Sequence, residues 1–199
     1  MSATDRPDAP LIAANIDRWR EWLITNDESC DGTWLMLAKK GVTSPTSLSY
    51  QEALEEALCS GWIDGQRRSH DEKTFVQRFT PRRARSIWSL RNVEIVTRLA
   101  EDRRLRPRGV AEIERARSDG RWDRAYAGSA SAQLPEALVT ALEATPAAGA
   151  AFARLTRAER YSAIHPLLIA RDDATLERQV GRLISRLTSP RSGPPRDMM

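Results

Sequence analysis

Five arginines and no acidic residue lie in the segment RFTPRRARSIWSLR, residues 78–91. The rest of the chain carries 26 Lys and Arg residues against 27 Asp and Glu residues, so this segment holds all the excess positive charge. Arginine presents a planar fork of donors that matches a phosphate or a carboxylate. The segment therefore predicts an anion-binding surface. An ordinary basic stretch that pairs with neighbouring acids is an equally good interpretation.

The side chains that could form such a site lie around a predicted strand-to-helix junction. A hairpin brings its two ends together, so Asp64 on its first strand could face Arg78 or Arg82 at the end of its second strand. N–H groups at the start of the next helix would add donors beside the guanidinium groups, with Trp88 as a stacking wall. The candidate ligand-binding residues are Asp64, Arg78, Thr80, Arg82, Arg85, Ser86, Trp88 and Asn92.

A purely structural interpretation of the same residues stays open. In that interpretation Asp64 forms a salt bridge with an arginine, Ser86 caps the helix and Trp88 fills the core. Each residue taken singly fits it slightly better, whereas the cluster as a whole favours a site.

Metal and nucleophile chemistry has little support in the sequence. The only histidines, His70 and His165, are far apart, and Cys30 and Cys59 form no CxxC pair. No P-loop or GxGxxG motif is present. We therefore predict no metal and no cofactor, and we expect Cys59 to be a buried thiol because it lies at the apolar end of a predicted helix.

Length and composition are those of a soluble globular chain. The 199 residues, with 41% apolar and 29% charged residues, suit one packed domain and a smaller helical module. No apolar run approaches the ~20 residues that cross a bilayer, and residues 1–10 lack the apolar region of a signal peptide. We expect a cytoplasmic protein without a transmembrane segment. Its oligomeric state is not indicated.

Hydrophobic periodicity and capping signals predict an α+β fold with a small antiparallel or mixed sheet, followed by an all-helical module. The predicted domains are a flexible N-terminus at 1–14, an α+β core at 15–126, a helical module at 134–187 and a disordered tail at 188–199. The core elements are a helix from Asn15 or Asp17, a strand over Thr33–Lys40, a helix over Tyr50–Ser60 opened by the capping box Ser49 and Glu52, a hairpin of Trp62–Arg68 with Thr74–Phe79, and helices from Ser86 or Ser89 and from Pro107.

Four ordered motifs resemble those of one bacterial family. They are TWLMLAKK at 33–40, LSYQEALEEALCSGWIDGQ at 48–66, QRFTPRRARSIWSLRNV at 77–93 and AEIERARSDGRWDRAY at 111–126. With the helical end, they make the chain similar to the YdeI/OmpD-associated (bacteriocin-protection) proteins from about Trp19 to Leu187. The resemblance implies a role in bacteriocin or peptide stress, with no agreed catalytic mechanism.

Three functions remain as hypotheses. The first is binding of a small anionic ligand by Arg78, Arg82 and Arg85 in a basic pocket lined by Trp88. The second is nucleic-acid binding, with the arginines on phosphates and an aromatic ring stacked on a base; it is disfavoured because the rest of the chain is slightly acidic. The third is an enzyme with Asp64 as general base, placed last because no second proton-transfer partner is evident.

Overall fold

The computed structural model describes residues 9–189. It divides into two compact units, with the boundary between Arg124 and Ala125. The first unit combines helices with a three-stranded antiparallel sheet, and the second is helical, which confirms the predicted α+β class. No helix in the described part of the chain is both long enough and apolar enough to cross a membrane.

The sheet of the first unit places the hairpin's second strand at its centre. The strand order is β1-β3-β2, and both pairings are antiparallel. The elements are α1 (Ile16–Asn26), β1 (Thr33–Ala38), α2 (Tyr50–Cys59), β2 (Trp62–Ser69), β3 (Thr74–Pro81), α3 (Leu90–Glu101) and α4 (Pro107–Ser118). The predicted hairpin is present as β2 and β3. Its strands carry the candidate residues towards the start of α3.

Side-chain caps define the starts of α1, α2 and α3. Ser49 and Glu52 form the predicted capping box of α2, in which each side chain bonds the other residue's backbone N–H. Helix α3 begins after Ser89, whose hydroxyl accepts from the Asn92 N–H at 3.2 Å. Of the two predicted starts of α3, Ser89 is therefore the observed one, and Ser86 serves a turn instead.

One face of the sheet forms the main core together with α1 and α2. Trp19 of α1 links this core to α2, because its indole N–H donates to the Ala53 carbonyl at 3.0 Å. The Trp19 ring also stacks on the Trp22 ring, with the ring centres 5.3 Å apart. Burial of large apolar side chains supplies most of the stability of such a unit. The buried members of this core include Trp19, Leu23, Leu35, Leu37, Trp62, Phe75 and Phe79.

Part of the segment predicted to be flexible packs onto the sheet. Leu11 pairs in parallel with Leu35, donating to the Trp34 carbonyl at 2.7 Å and accepting from the Met36 N–H at 2.9 Å. Ala13 is buried. The backbone pairing of Leu11 and the burial of Ala13 place this portion against the sheet, and residues 1–8 lie outside the described residues.

The second unit has four helices, α5 (Glu136–Ala144), α6 (Pro146–Ala153), α7 (Arg157–Leu168) and α8 (Asp173–Thr188). Thr156 and Glu159 form a capping box at the start of α7, and Asp172 caps α8. The core contains Leu138, Phe152, Ile164, Leu167, Val180 and Leu183. Of the predicted disordered tail, Thr188 ends α8, and residues 190–199 lie outside the described residues.

Candidate functional site

The loop between β3 and α3 folds back on itself. The Arg82 N–H donates to the Gly61 carbonyl at 2.9 Å, which holds the start of the loop beside β2. The Ser86 N–H donates to the Arg83 carbonyl at 2.9 Å, and the Arg83 N–H donates to the Ser86 hydroxyl at 3.0 Å. These bonds close a tight turn. The next two carbonyls, of Ser86 and Ile87, accept from guanidinium groups.

Arg82 is a buried arginine stacked on a tryptophan. It is only 4% exposed, its Nη1 donates to the Ile87 carbonyl at 3.2 Å, and its Cζ lies 3.6 Å from the centre of the Trp88 ring. The Trp88 ring contacts Trp122 at 5.2 Å, and Arg117 lies 4.8 Å above Trp122. Cation–π contacts at both ends therefore hold two indole rings between two guanidinium groups.

Arg121 brings a second buried guanidinium group to this loop. It is 9% exposed, donates from Nε to both Asp119 carboxylate oxygens at 2.8 Å, and donates from Nη1 to the Ser86 carbonyl at 2.7 Å. Desolvation raises the pKa of Asp119, but the hydrogen bonds from Arg121 outweigh it and hold that pKa below its ordinary value. Asp119 therefore stays charged beside Arg121.

Apart from Arg82, two buried donors of this cluster lack an acceptor within residues 9–189. They are Nη2 of Arg121 and the indole Nε1 of Trp88. Buried N–H groups in native proteins are almost always hydrogen-bonded, so each such case calls for a physical explanation. We name Arg82, Ser86, Trp88 and Arg121 the junction cluster, and the Trp122 ring packs beside it.

The structure brings together only some of the candidate residues. Arg82, Ser86 and Trp88 belong to the junction cluster, and Asn92 is buried in the first turn of α3. Trp88 is only 2% exposed, so its ring does not form the wall of an open pocket. Arg85 is exposed, whereas Arg78 and Thr80 are half-buried on β3. Within residues 9–189 the side chains of Arg78 and Arg85 form no hydrogen bond or ion pair.

Asp64 contacts a tyrosine where an arginine was expected. Its Oδ2 accepts from the Tyr50 hydroxyl at 2.8 Å. Asp64 is paired with Phe79, and successive residues of a strand point to opposite faces, so Arg78 projects from the other face of the sheet. The expected approach of Asp64 to Arg78 is therefore wrong for a geometric reason, and in the described chain Asp64 forms no ion pair with Arg82.

Tyr50 is a partner that the sequence reasoning missed. Burial, the charge of Asp64 and the hydrogen bond to Asp64 raise the pKa of Tyr50 to about 12, while Arg91 acts in the opposite direction. The Arg91 guanidinium lies 5.6 Å from the Tyr50 ring and donates to Gln51 at 2.8 Å. At neutral pH the tyrosine is therefore a fixed donor to the carboxylate. The only sequence signal was the position of Tyr50 in the first helical turn, facing the core.

Sequence reasoning also missed a buried carboxylate surrounded by arginines. Glu56 on α2 is 1% exposed and accepts from Arg20, Arg104 and Arg106 at 2.9–3.1 Å. Burial raises its pKa, but the three sets of hydrogen bonds outweigh burial and leave the pKa lowered. Glu55 adds contacts to Arg98 and Arg104. Because Glu56 and Glu55 occupy these guanidinium groups, the network is an internal tie between α1, α2 and the segment before α4.

The described residues show no metal-binding arrangement. Within residues 9–189 no group of three or more His, Cys, Asp or Glu side chains could hold a metal ion. Cys59 is buried, as expected, and burial together with the nearby Glu56 charge raises its pKa to about 11. It is therefore a protonated thiol at neutral pH and a poor nucleophile or ligand.

Comparison with known proteins assigns both parts of the chain. Residues 11–112, just over half of its length, match a family model described as "Domain of unknown function (DUF8412)". Residues 131–189 match the model described as "Bacteriocin-protection, YdeI or OmpD-Associated". No curated protein and no solved structure matched. The chain therefore belongs to the family of the domain of unknown function DUF8412, and its residues 131–189 form a YdeI/OmpD-associated domain.

Proposed function

We propose that this protein binds a small anionic molecule at the junction cluster. A role in bacteriocin or peptide stress protection, which the family description suggests, is part of this proposal. The observation that carries it is the pair of buried donors, Arg121 Nη2 and Trp88 Nε1, that have no acceptor in the described chain. The cytoplasmic location expected from the sequence stays a prediction.

The energetics favour an anion over another kind of ligand. A buried donor without an acceptor costs about 1–3 kcal/mol, so a ligand with acceptor oxygens regains that energy on binding. Arg82 and Arg121 bring two positive charges to adjacent carbonyls, and Asp119 is already engaged by Arg121 Nε. A phosphate-sized or carboxylate-sized group presents several acceptors and a negative charge in one small volume. Burial of both donors restricts the ligand to a small group.

A change from Trp88 to Phe separates ligand binding from core packing. It keeps an aromatic ring between Arg82 and Trp122 but removes the unpartnered N–H. Trp122→Phe is the matched control, because it alters the same stack at a ring that has no buried unpartnered nitrogen. A purely structural cluster would respond to both changes alike.

The experiment is a thermal-shift titration with inorganic phosphate and with sulfate at constant ionic strength. At tenfold excess over Kd, ligand linkage stabilises by about 1.4 kcal/mol, which raises the Tm of a chain of this size by a few °C. The wild-type protein and Trp122→Phe should show this rise, and Trp88→Phe should show less than half of it. Absence of a rise in the wild type, or an equal rise in Trp88→Phe, would contradict the proposal.

Nucleic-acid binding is a second candidate because of two exposed arginines. Arg83 and Arg85 are exposed, and neither side chain forms an ion pair or hydrogen bond within residues 9–189. Such side chains suit phosphate contacts. Oligonucleotide binding that weakens steeply between 50 and 200 mM salt and is lost in Arg83→Ala/Arg85→Ala would support it. Oligonucleotide binding whose affinity does not change with salt concentration would exclude nucleic-acid binding by these arginines.

A further inference from the structure

The second unit contains a cleft of about 710 Å³ formed by residues of α6, α7 and α8 and the turns beside them. Small-molecule sites commonly have volumes of about 300–1,000 Å³. Apolar side chains of Ala151, Leu155, Ala163 and Leu187 form part of its wall. Its size and apolar wall suit an organic molecule better than a bare ion.

Two arginines that line this cleft have side chains with no hydrogen-bond or ion-pair partner within residues 9–189. Arg154 follows α6, and Arg186 lies in the last turn of α8. Both are exposed, and within residues 9–189 neither side chain forms a hydrogen bond or ion pair. Their guanidinium groups are therefore available to an anionic group bound in the cleft.

In a smaller cleft of the second unit, of about 330 Å³, the arginines are already hydrogen-bonded to the protein. It is also lined by two arginines, but Arg157 donates twice to the Ser129 carbonyl at 3.1 and 3.2 Å. Arg160 donates to the carbonyls of Leu155 and Ala153. Backbone acceptors thus occupy the arginines of the smaller cleft.

One acid also lines the larger cleft. The Glu159 carboxylate accepts from the N–H and the hydroxyl of Thr156, both at 2.8 Å, as part of the capping box of α7. Two guanidinium groups against one carboxylate leave a positive lining, and Ser162 adds a hydroxyl. The charge of the lining therefore complements a single anionic group.

We propose that this cleft binds an amphipathic anion, a small molecule with one carboxylate, sulfonate or phosphate head and an apolar body. The head group lies between Arg154 and Arg186, where charge-assisted hydrogen bonds hold it. The apolar body covers Leu155 and Leu187. This site lies in the second unit and shares no residue with the junction cluster, so it goes beyond the function proposed above.

A fluorescence titration of the full chain with anilinonaphthalene sulfonate tests the site. This dye combines fused aromatic rings with one sulfonate, and decanoate serves as a competitor of the same chemistry. Arg154→Gln/Arg186→Gln removes both charges and keeps side chains of similar polarity. The matched control is Arg178→Gln, because Arg178 is an exposed arginine of the same helix that bonds Thr175 and does not line the cleft.

The expected result is saturable dye binding that decanoate displaces and inorganic phosphate does not. The double variant should raise the dye Kd at least tenfold, while Arg178→Gln stays within twofold of the wild type. Dye binding that is not saturable, or a double variant that binds within twofold of the wild type, would overturn the proposal. Trp88→Phe should leave the dye Kd unchanged, so the two proposals fail separately. The changed arginines are exposed, so the melting temperature should confirm that both variants fold.

Discussion

The hydroxyl of Tyr50 on α2 donates to the carboxylate of Asp64 on β2 at 2.8 Å. This bond joins the first turn of α2 to the start of β2 in the first unit. It also gives Asp64 a neutral partner, although a cation was expected. The contact between α2 and β2 at this point therefore depends on Tyr50 staying protonated, because only the neutral hydroxyl can donate this bond.

Tyr50→Phe should destabilise the protein by about 1–2 kcal/mol at pH 7, because a partly buried hydrogen bond to a charged group is lost. The pKa of Tyr50 is raised from 10.0 to about 12, so its neutral form is favoured in the folded state. Its contribution to stability is thus complete below pH 10 and is lost as pH rises from 10 towards 12. Urea unfolding at pH 8 and pH 11 should show a larger loss in the wild type than in Tyr50→Phe. Equal losses of stability in the two proteins would contradict the raised pKa of Tyr50.

Glu56→Gln should cost about 3 kcal/mol, because it leaves guanidinium groups of Arg20, Arg104 and Arg106 beside a neutral amide in a buried position. The exposed pair of Arg18 and Glu21 provides the control, and Glu21→Gln should cost at most about 1 kcal/mol. Urea denaturation at pH 7 measures both. A Glu56→Gln cost no larger than that of Glu21→Gln would show that the network is not a structural tie.

The stabilisation by Glu56 should depend on pH in the acid range. Its pKa is lowered below the ordinary value of 4.5, so the charged form is favoured in the folded protein. The stabilisation is therefore complete above the unfolded pKa and is lost as pH falls below about 4.5. The stability difference between the wild type and Glu56→Gln should narrow in unfolding curves recorded from pH 6 to pH 3. A constant difference would argue against this ionisation.

Arg82→Ala and Arg85→Ala should differ strongly in stability although both arginines lie in the same basic segment. Arg82 is buried, stacked on Trp88 and bonded to a carbonyl, so its loss should cost about 2 kcal/mol or more. Arg85 is exposed, and its loss should change stability by less than about 0.5 kcal/mol. Thermal unfolding of the two single variants provides the comparison. Equal effects would mean that the burial of Arg82 contributes nothing.

Cys59 should be unreactive in the folded protein. A buried thiol with a pKa of about 11 is almost wholly protonated at pH 8, and the thiolate is the reactive species. In the Cys30→Ser variant, a thiol reagent should therefore label nothing under native conditions and one thiol in guanidinium chloride. Rapid native labelling would contradict the observed burial.

Local features of the fold were predictable from the sequence because they depend on neighbouring residues. The capping box of Ser49 and Glu52 and the hairpin of β2 and β3 are of this kind. So is the burial of Cys59 at the end of an apolar helix. Caps, turns and periodic apolar positions act over a few residues, so the chain itself specifies them.

The contacts at the candidate site depended on residues far apart in the chain. The arginine-rich segment was recognisable, but Arg121 reaches the Ser86 carbonyl from 35 residues away, and its unpartnered Nη2 is visible only in the folded chain. Glu56 likewise meets Arg106 across 50 residues.

The sequence by itself therefore determined the helices, the hairpin and the place of the excess charge. Only the tertiary structure decided that Arg82 is buried, that Asp64 faces Tyr50, and that Arg154 and Arg186 meet at one cleft. The physical reason is that burial and long-range pairing depend on which elements pack together, whereas caps and periodicity depend on adjacent residues alone.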